Sequence, residues 1–320
     1  MARRMKSKTQ PAQMRLQIDL PNSNPITGST VSYVDLSQCA SMINRRFYRQ
    51  GLNWMVSGIT LVDIRGGGLG EVTISKLPNT WVTSNAWEKT FRVWDEQNKK
   101  ALAQAPSAKP RYYDYKIHFD DQHSTVVNQN SGFAQNLIPI GFVTNGVPDG
   151  EWIASDFKIP NTANAGGAVG AVESYTAHMC GYSNSTSKAL IEGYADSRAL
   201  PFSPDPNVPA DVSQNWLTAV FNEGTTQDNA VLNALEDDYD EVPYNLENYV
   251  GGGLRQPTGE VVDTVVFSGT TISSKIRIKS FNAPCGLIRL DNGTTNDLLM
   301  FIDLVPGDHR GYKCEPMTDM

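Results

Sequence analysis

VVDTVVFSGTTISSKIRIKSFNAPCGLIRLDNGTTNDLLMFIDLV, residues 261–305, is a series of short apolar runs divided by turn residues. The runs at 261–267, 271–280, 285–290 and 297–305 are rich in Val, Ile, Leu and Phe. Ser, Gly, Asn and Thr crowd between them. Strands of this length and spacing predict an all-β sandwich or barrel, because each sheet must bury one face against another. Further strands are expected upstream at 137–143, 151–159, 171–179 and 187–194. Ile59–Ile64, the glycine-rich 66–70 and the apolar positions Val72, Ile74 and Leu77 predict a hairpin. Tyr113, Tyr115, Ile117 and Phe119 alternate with polar neighbours, the pattern of a half-buried strand.

Helical signals are few. Asn85 followed by Glu88 reads as an N-terminal cap. Trp87, Phe91, Trp94 and Leu102 then recur at helical spacing, so 85–103 is expected as one amphipathic helix packed on the sandwich. Shorter helices are expected at 211–222 and 228–239. Both lie in a stretch, 200–258, that opens on Pro201, Pro204, Pro206 and Pro209 and closes on Gly251–Gly253. This punctuation predicts a partly helical, surface-exposed insertion between strands of one sandwich domain.

A chain of 320 residues with 40% hydrophobic content can bury a large core. The net charge of −7 argues against general polyanion binding, but the charge is uneven. Residues 1–50 hold eight Lys or Arg against two acids, while no Lys or Arg occurs between Arg198 and Arg255. The first fifteen residues are basic and polar, so residues 1–20 are expected as a flexible arm preceding the domain over 21–320. Cys39, Cys180, Cys285 and Cys314 are widely spaced without a C-x-x-C pair, which suits reduced, mostly buried thiols. The sequence predicts no secretory leader and no transmembrane span.

Three basic groups suit phosphate. Arg3, Arg4, Lys6, Lys8 and Arg15 are flexible cations that need no fixed register; an ordinary solvated terminus, or a nuclear-targeting signal, fits them too. Arg45, Arg46 and Arg49 flank Phe47 and Tyr48, a mixture that suits single-stranded nucleic acid or, equally, inter-subunit salt bridges. Lys275, Arg277 and Lys279 share one face of a strand and make either a basic stripe or a plain solvated face. His118, Asp120, Asp121 and His123 lack the ligand spacing of a zinc site. Asp120 and Asp121 are at most weak candidates for a calcium ion at a subunit contact. Glu236, Asp237, Asp238, Asp240 and Glu241 lack the spacing of a calcium loop and read as a solvated outer surface. Neither glycine run has phosphate-loop spacing, and no nucleophile elbow occurs, so no catalytic residue is assigned. The sequons at Asn184 and Asn292 carry little weight without a secretory route.

Three segments together resemble a known family. They are Val34–Cys39 continuing through Asn44–Gly51, Leu77–Trp81 running into Ala86–Lys89 and Trp94, and Leu304–Tyr312 ending at Glu315–Met317. The chain is similar to capsid proteins of circular Rep-encoding single-stranded DNA viruses. The resemblance implies a non-enzymatic coat subunit with a single jelly roll of eight core strands in two sheets. It implies a homo-oligomeric icosahedral shell of about 60 copies, or a multiple of that, around circular single-stranded DNA. It also implies a virion location, with passage through the host nucleus where the host is eukaryotic, and a host-cell receptor of unknown identity. The arm is short for the family: about 60 copies bring on the order of 300 arm charges, so most neutralisation must come from elsewhere. A coat protein for single-stranded RNA satisfies the same physics. A carbohydrate-binding or carbohydrate-cleaving sandwich is the alternative from another class.

Overall fold

A computed structural model describes residues 11–22, 30–108, 114–125, 136–144, 147–148, 152–160, 172–199, 259–269 and 274–320. The described residues form a mostly β structure with a two-sheet sandwich and few helices. Eight strands carry the sandwich: β1 (Arg15–Leu20), β2 (Val31–Asp35), β3 (Leu52–Val62), β4 (Gly70–Lys76), β5 (Glu260–Phe267), β6 (Lys275–Ile278), β7 (Leu287–Asn292) and β8 (Leu298–Leu304). The first sheet runs β1-β8-β3-β6; Phe281–Ala283 and Cys314–Pro316 also pair with β3. The second runs β5-β4-β7-β2, and every pairing within both is antiparallel.

The side-chain period of two sorts each strand. In β1, Leu16, Ile18 and Leu20 are buried while Arg15, Gln17 and Asp19 face solvent. In β8, Leu298, Met300, Ile302 and Leu304 point inward. With Trp54, Ile59 and Leu61 of β3, Val72 and Ile74 of β4, Phe267 of β5 and Ile288 and Leu290 of β7 they form one core. Each such aliphatic side chain contributes about 1.5–3 kcal/mol on burial. A one-residue slip would turn them all outward, so the core fixes the register.

β3 and β4 do not form the expected hairpin, because they lie in different sheets. The glycine run is a crossover corner. Asp63 accepts hydrogen bonds from the backbone N–H groups of Arg65 (3.1 Å), Gly66 (3.1 Å) and Gly68 (2.8 Å), which folds the chain into an arch. Gly66 and Gly67 take left-handed φ angles of 70° and 73° there. Gly70 enters β4 at φ 129°, and a Cβ on it would sit 2.3 Å from the carbonyl oxygen of Gly293. Gly70→Ala is therefore expected to cost about 1–3 kcal/mol in urea denaturation. A loss under about 0.5 kcal/mol would mean that the corner is not rigid.

Consecutive strands alternate between the sheets except β4 and β5, which are neighbours in one sheet. Residues 77–259 lie between them, so the insertion is far longer than the expected 200–258. It opens on α1 (Trp81–Ala103). The cap is Thr80, whose Oγ1 accepts from the Thr83 N–H, and the expected cap Asn85 lies inside the helix. Trp87 stacks on Phe91 at 5.0 Å between centroids, and both, with Trp94, surround Tyr115. Phe157 meets Tyr115 edge-on, so these aromatics form a satellite core within the insertion. The opposite side of the helix carries the i,i+4 pairs Glu88–Arg92, Asp95–Lys99 and Glu96–Lys100. Residues 115–120 are buried on both faces, unlike the half-buried strand expected there; Tyr113 lies outside the described residues.

Segment 136–140 closes one side of the sandwich. Leu137 N–H donates to the Tyr33 carbonyl (2.7 Å) on β2, and Ile140 N–H donates to the Gln17 carbonyl (2.9 Å) on β1. The strands expected at 151–159, 171–179 and 187–194 are found as Phe157–Pro160, Val172–His178 and Ser187–Ala189; helix replaces strand from Leu190. The expected arm over 1–20 is shorter, because Arg15–Leu20 is a core strand. A helix not expected, Leu36–Asn44, follows β2 directly. Cys39, Cys180 and Cys285 are buried and, like half-buried Cys314, form no disulfide. The chain divides into two compact units, Met1–Ile191 with Gln256–Met320, and Glu192–Arg255. Of the second, residues 192–199 are described and are helical. The helices expected at 211–222 and 228–239, and the acidic surface at 236–241, lie outside the described residues.

Candidate nucleic-acid interface

The outer face of the first sheet collects charge from three strands. Arg15 on β1 pairs across to Asp303 on β8, and Asp303 lies beside Gly58 on β3. Arg277 on β6 is opposite Thr60, one step along. It reaches back over Gly58, where a Cβ would meet its guanidinium at 3.3 Å and the Ile278 carbonyl at 2.7 Å. Asp303 thus holds two guanidinia, Arg15 at 2.6 Å and Arg277 at 3.3 Å. The Arg15 hydrogen bond holds the Asp303 carboxyl below the usual carboxylate range, and Asp303 in turn raises the Arg15 guanidinium. Lys275 is exposed on the same face, and Lys279, also exposed, lies one residue past the end of β6. Arg15 and Arg277 remain more than half exposed, at 59% and 54%. Asp303 orients them without removing them from solvent, where such pairs contribute little to stability. Among the described residues of β1, β6 and β8, the cations Arg15, Lys275 and Arg277 and the carboxylates Asp19 and Asp303 share this face.

A second basic group lies where the chain enters β1. Arg45 ends the helix Leu36–Asn44 in a left-handed conformation (φ 53°), and its guanidinium carbon lies 5.3 Å from the Phe142 ring centroid. Arg46 donates to the Pro11 carbonyl (3.2 Å), and Asn44 accepts from the Gln13 N–H (3.0 Å). Arg310 donates to the Phe47 carbonyl. Residues 11–13 therefore leave the sandwich against Arg46; the arm residues Arg3, Arg4, Lys6 and Lys8 lie outside the described residues. Arg45 and Arg49 are exposed. Tyr48, expected beside them as a stacking group, is instead core: it packs on Trp54 and Tyr312, and its hydroxyl donates to the Arg310 carbonyl. Phe47 is half-buried, with the Lys116 ammonium 5.6 Å from its ring.

The weak calcium candidates are not placed together. Asp121 is exposed at the start of a short helix, Asp121–Thr125. Asp120 is fully buried on the outer face of the second sheet and is saturated by protein donors. Its Oδ1 accepts from the Tyr33 hydroxyl (2.7 Å) and the His123 N–H (2.8 Å), while Oδ2 pairs with Arg289. A guanidinium holds the place a cation would need. His123 is equally committed: Nδ1 accepts from the Phe119 N–H (3.0 Å), so Nε2 carries the proton and donates to Asn136 Oδ1 (2.8 Å). The Asn136 amide continues to Gln38. Burial first, then the neighbouring His118, holds His123 well below the ordinary histidine range. Among the described residues no group of three His, Cys, Asp or Glu side chains is placed to hold a metal.

The same buried network includes Asp35, which caps the helix Leu36–Asn44. Its Oδ1 accepts from the N–H groups of Ser37 (2.8 Å) and Gln38 (3.2 Å). Its Oδ2 accepts from Gln50 Nε2 and Trp152 Nε1, both at 2.9 Å. Burial pushes its carboxyl up and these four bonds pull it back, leaving it at about 6. Asp35 and Asp120 thus fasten the insertion, through Trp152 and the 117–123 segment, to the second sheet.

Sequence reasoning missed Phe301. In the run LLMFIDL it reads as core, yet the strand period places it on the solvent side with Leu299 and Asp303. The guanidinium carbon of Arg15 lies 5.7 Å from its ring centroid. No helix of the described residues is long and apolar enough to cross a membrane. No protein-family model, curated protein or solved structure matches this chain.

Proposed function

We propose that this protein is a viral coat subunit, a single jelly roll that assembles into a closed icosahedral shell around circular single-stranded DNA. The strand order carries the reading. One sheet runs first-eighth-third-sixth and the other fifth-fourth-seventh-second, the order generated when two Greek keys wrap over one core. That wrapping also serves lectins and other binding proteins, so the order alone does not name a function. The residues that carry the family resemblance supply the second support. Met317 N–H donates to the Gly51 carbonyl, and Ser84 Oγ donates to the Met317 carbonyl (2.6 Å). Gly51 lies against Trp87, where a Cβ would come within 2.3 Å of the indole. All three resembling segments therefore meet at one junction. The third support is the basic face of the first sheet beside the root of a basic arm, which suits a polyanion enclosed by the shell. The work of such a subunit is assembly, not catalysis, and like copies close a symmetric shell through sheet edges and loops.

Electron microscopy of the purified chain, across a range of salt and calcium concentrations, tests the proposal. Uniform closed particles are expected, with nuclease-protected DNA inside those isolated from infected material. A monodisperse monomer under every condition, with measurable glycan binding, would overturn it. Protected RNA would keep the coat and change the genome.

A further inference from the structure

Phe301 is the aromatic ring of β8 on a face that it shares with the apolar Leu299 and Val62 and with several polar and charged groups. In register beside it stand Gln17 on β1 and Thr60 on β3, with Arg277 opposite Thr60 on β6. The ring is half-buried, and a residue on the solvent side of a sheet gains nothing from the sandwich core. Its surroundings instead match what an unpaired nucleotide offers. Arg15 flanks the ring, and Lys275 and Arg277 lie two strands away on β6, beyond β3, with Lys279 one residue past the end of that strand. A duplex hides the faces of its bases in the stack and presents phosphates alone. A single strand presents both, and an aromatic ring among cations binds both. A ring stacked on a base face reads no base edge, so stacking here is tolerant of sequence.

We propose that Phe301 is a stacking platform for an unpaired base and that, with Arg15, Lys275, Arg277 and Lys279, it makes this sheet face selective for single-stranded over duplex nucleic acid. The proposal rests on the nucleic-acid part of the coat reading, and the test separates the two. The full chain is titrated by fluorescence anisotropy against a twenty-nucleotide oligo(dT), the matching oligo(U), a duplex of the same length, and vesicles of phosphatidylserine and phosphatidylcholine. Three variants are compared with the wild type: Phe301→Leu, Phe301→Trp, and the combined Lys275→Gln, Arg277→Gln, Lys279→Gln.

Phe301→Leu is expected to weaken oligo(dT) binding about 5–10-fold with the duplex and the salt slope unchanged, because one stacked base is lost and no phosphate contact is. Phe301→Trp should retain wild-type binding, which excludes a folding defect at this position. The triple variant should weaken single strand and duplex alike and lower the salt slope by about two to three. Equal losses for oligo(dT) and oligo(U) are expected, since a stacked ring does not sense the sugar. If Phe301→Leu binds oligo(dT) as the wild type does while the triple variant is weakened, stacking is wrong and the phosphate-binding face stands. If neither variant changes binding, the face is not the interface and both statements fail. Binding to vesicles that exceeds binding to either nucleic acid, and is lost in Phe301→Leu, would make the face a lipid-binding one and overturn the proposal.

Discussion

Arg289→Met is expected to destabilise the protein by about 3–5 kcal/mol, among the largest effects of any single substitution in the sandwich. Arg289 stands on the outer face of the second sheet, between Tyr33 on β2 and Ser75 on β4. Its side chain is 18% exposed, and it pairs with Asp120, which is fully buried. A second guanidinium nitrogen donates to Gln122 Oε1 (3.2 Å). The value of the pair itself is modest, because both charges were taken out of water to make it. The cost of breaking it is not modest. Methionine fills much of the arginine stem's volume but leaves Asp120 charged, buried and held only by neutral donors. The Tyr33 hydroxyl and His123 N–H cannot neutralise it. Urea denaturation of the unassembled chain measures the loss, and the double variant Arg289→Met, Asp120→Asn should recover part of it. A single variant within about 1 kcal/mol of wild type would mean that water reaches Asp120 and that the insertion is not sealed on the sheet.

Much of the sandwich was legible because its strands obey the period of two. β8 alternates cleanly, and its apolar positions are the ones found inside; β1 alternates as cleanly but was assigned to the arm because basic, polar residues lead into it. What failed were inferences from local chemistry about distant partners. A glycine run between two strands signals a reversal, but nothing in 66–70 says whether the next strand pairs with the last or crosses to the other sheet. Asp63 decides that through an arch completed by Asn296, more than two hundred residues away. The helix Leu36–Asn44 went unseen because Asp35, its cap, ends an apolar run that reads as strand. Thr80 was passed over for Asn85 because a second cap signature lay one turn on. The candidate site was legible in part. Lys275 and Arg277 do share a face of β6, Lys279 lies just past its end, and Arg15 joins them across two strands. Tyr48 was misread because an aromatic beside arginines looks the same in sequence whether it faces solvent or core. Asp120 looked like a ligand because its true partner, Arg289, is 169 residues away.

Asp35→Asn is expected to cost about 2–4 kcal/mol near neutral pH and to steepen the loss of stability in acid. Every group that touches the Asp35 carboxylate is a donor: two backbone N–H groups, the Gln50 amide and the Trp152 indole. An asparagine must turn its own NH2 toward one pair of them. Gln50 cannot rotate to compensate, because its Oε1 accepts from the Ile117 N–H (2.6 Å) and its Nε2 also donates to the Ile117 carbonyl (3.0 Å). The substitution removes a buried charge and still loses stability, because the hydrogen bonds are matched to an acceptor. The pH dependence follows from the direction of each shift. The Asp35 carboxyl is raised from 3.8 to about 6, so the folded protein takes up a proton as the pH falls through about 6, before the unfolded chain does. That linkage adds stability on the order of 3 kcal/mol between about pH 6 and 3.8. Asp114, raised by burial, acts in the same direction. His123 acts in the opposite one: lowered in the fold, it favours the native state above about 6.5 and costs stability as the unfolded chain takes up its proton below that pH. In the wild type these contributions oppose each other between pH 6 and 4. Asp35→Asn removes one of the two stabilising ones and leaves His123 acting against a weakened fold. Denaturation of wild type and variant at pH 7.5, 6 and 5 reads the difference directly. Parallel profiles would show that Asp35 is already protonated at neutral pH or never takes up its proton in the fold; a gap widening toward acid is the expected result.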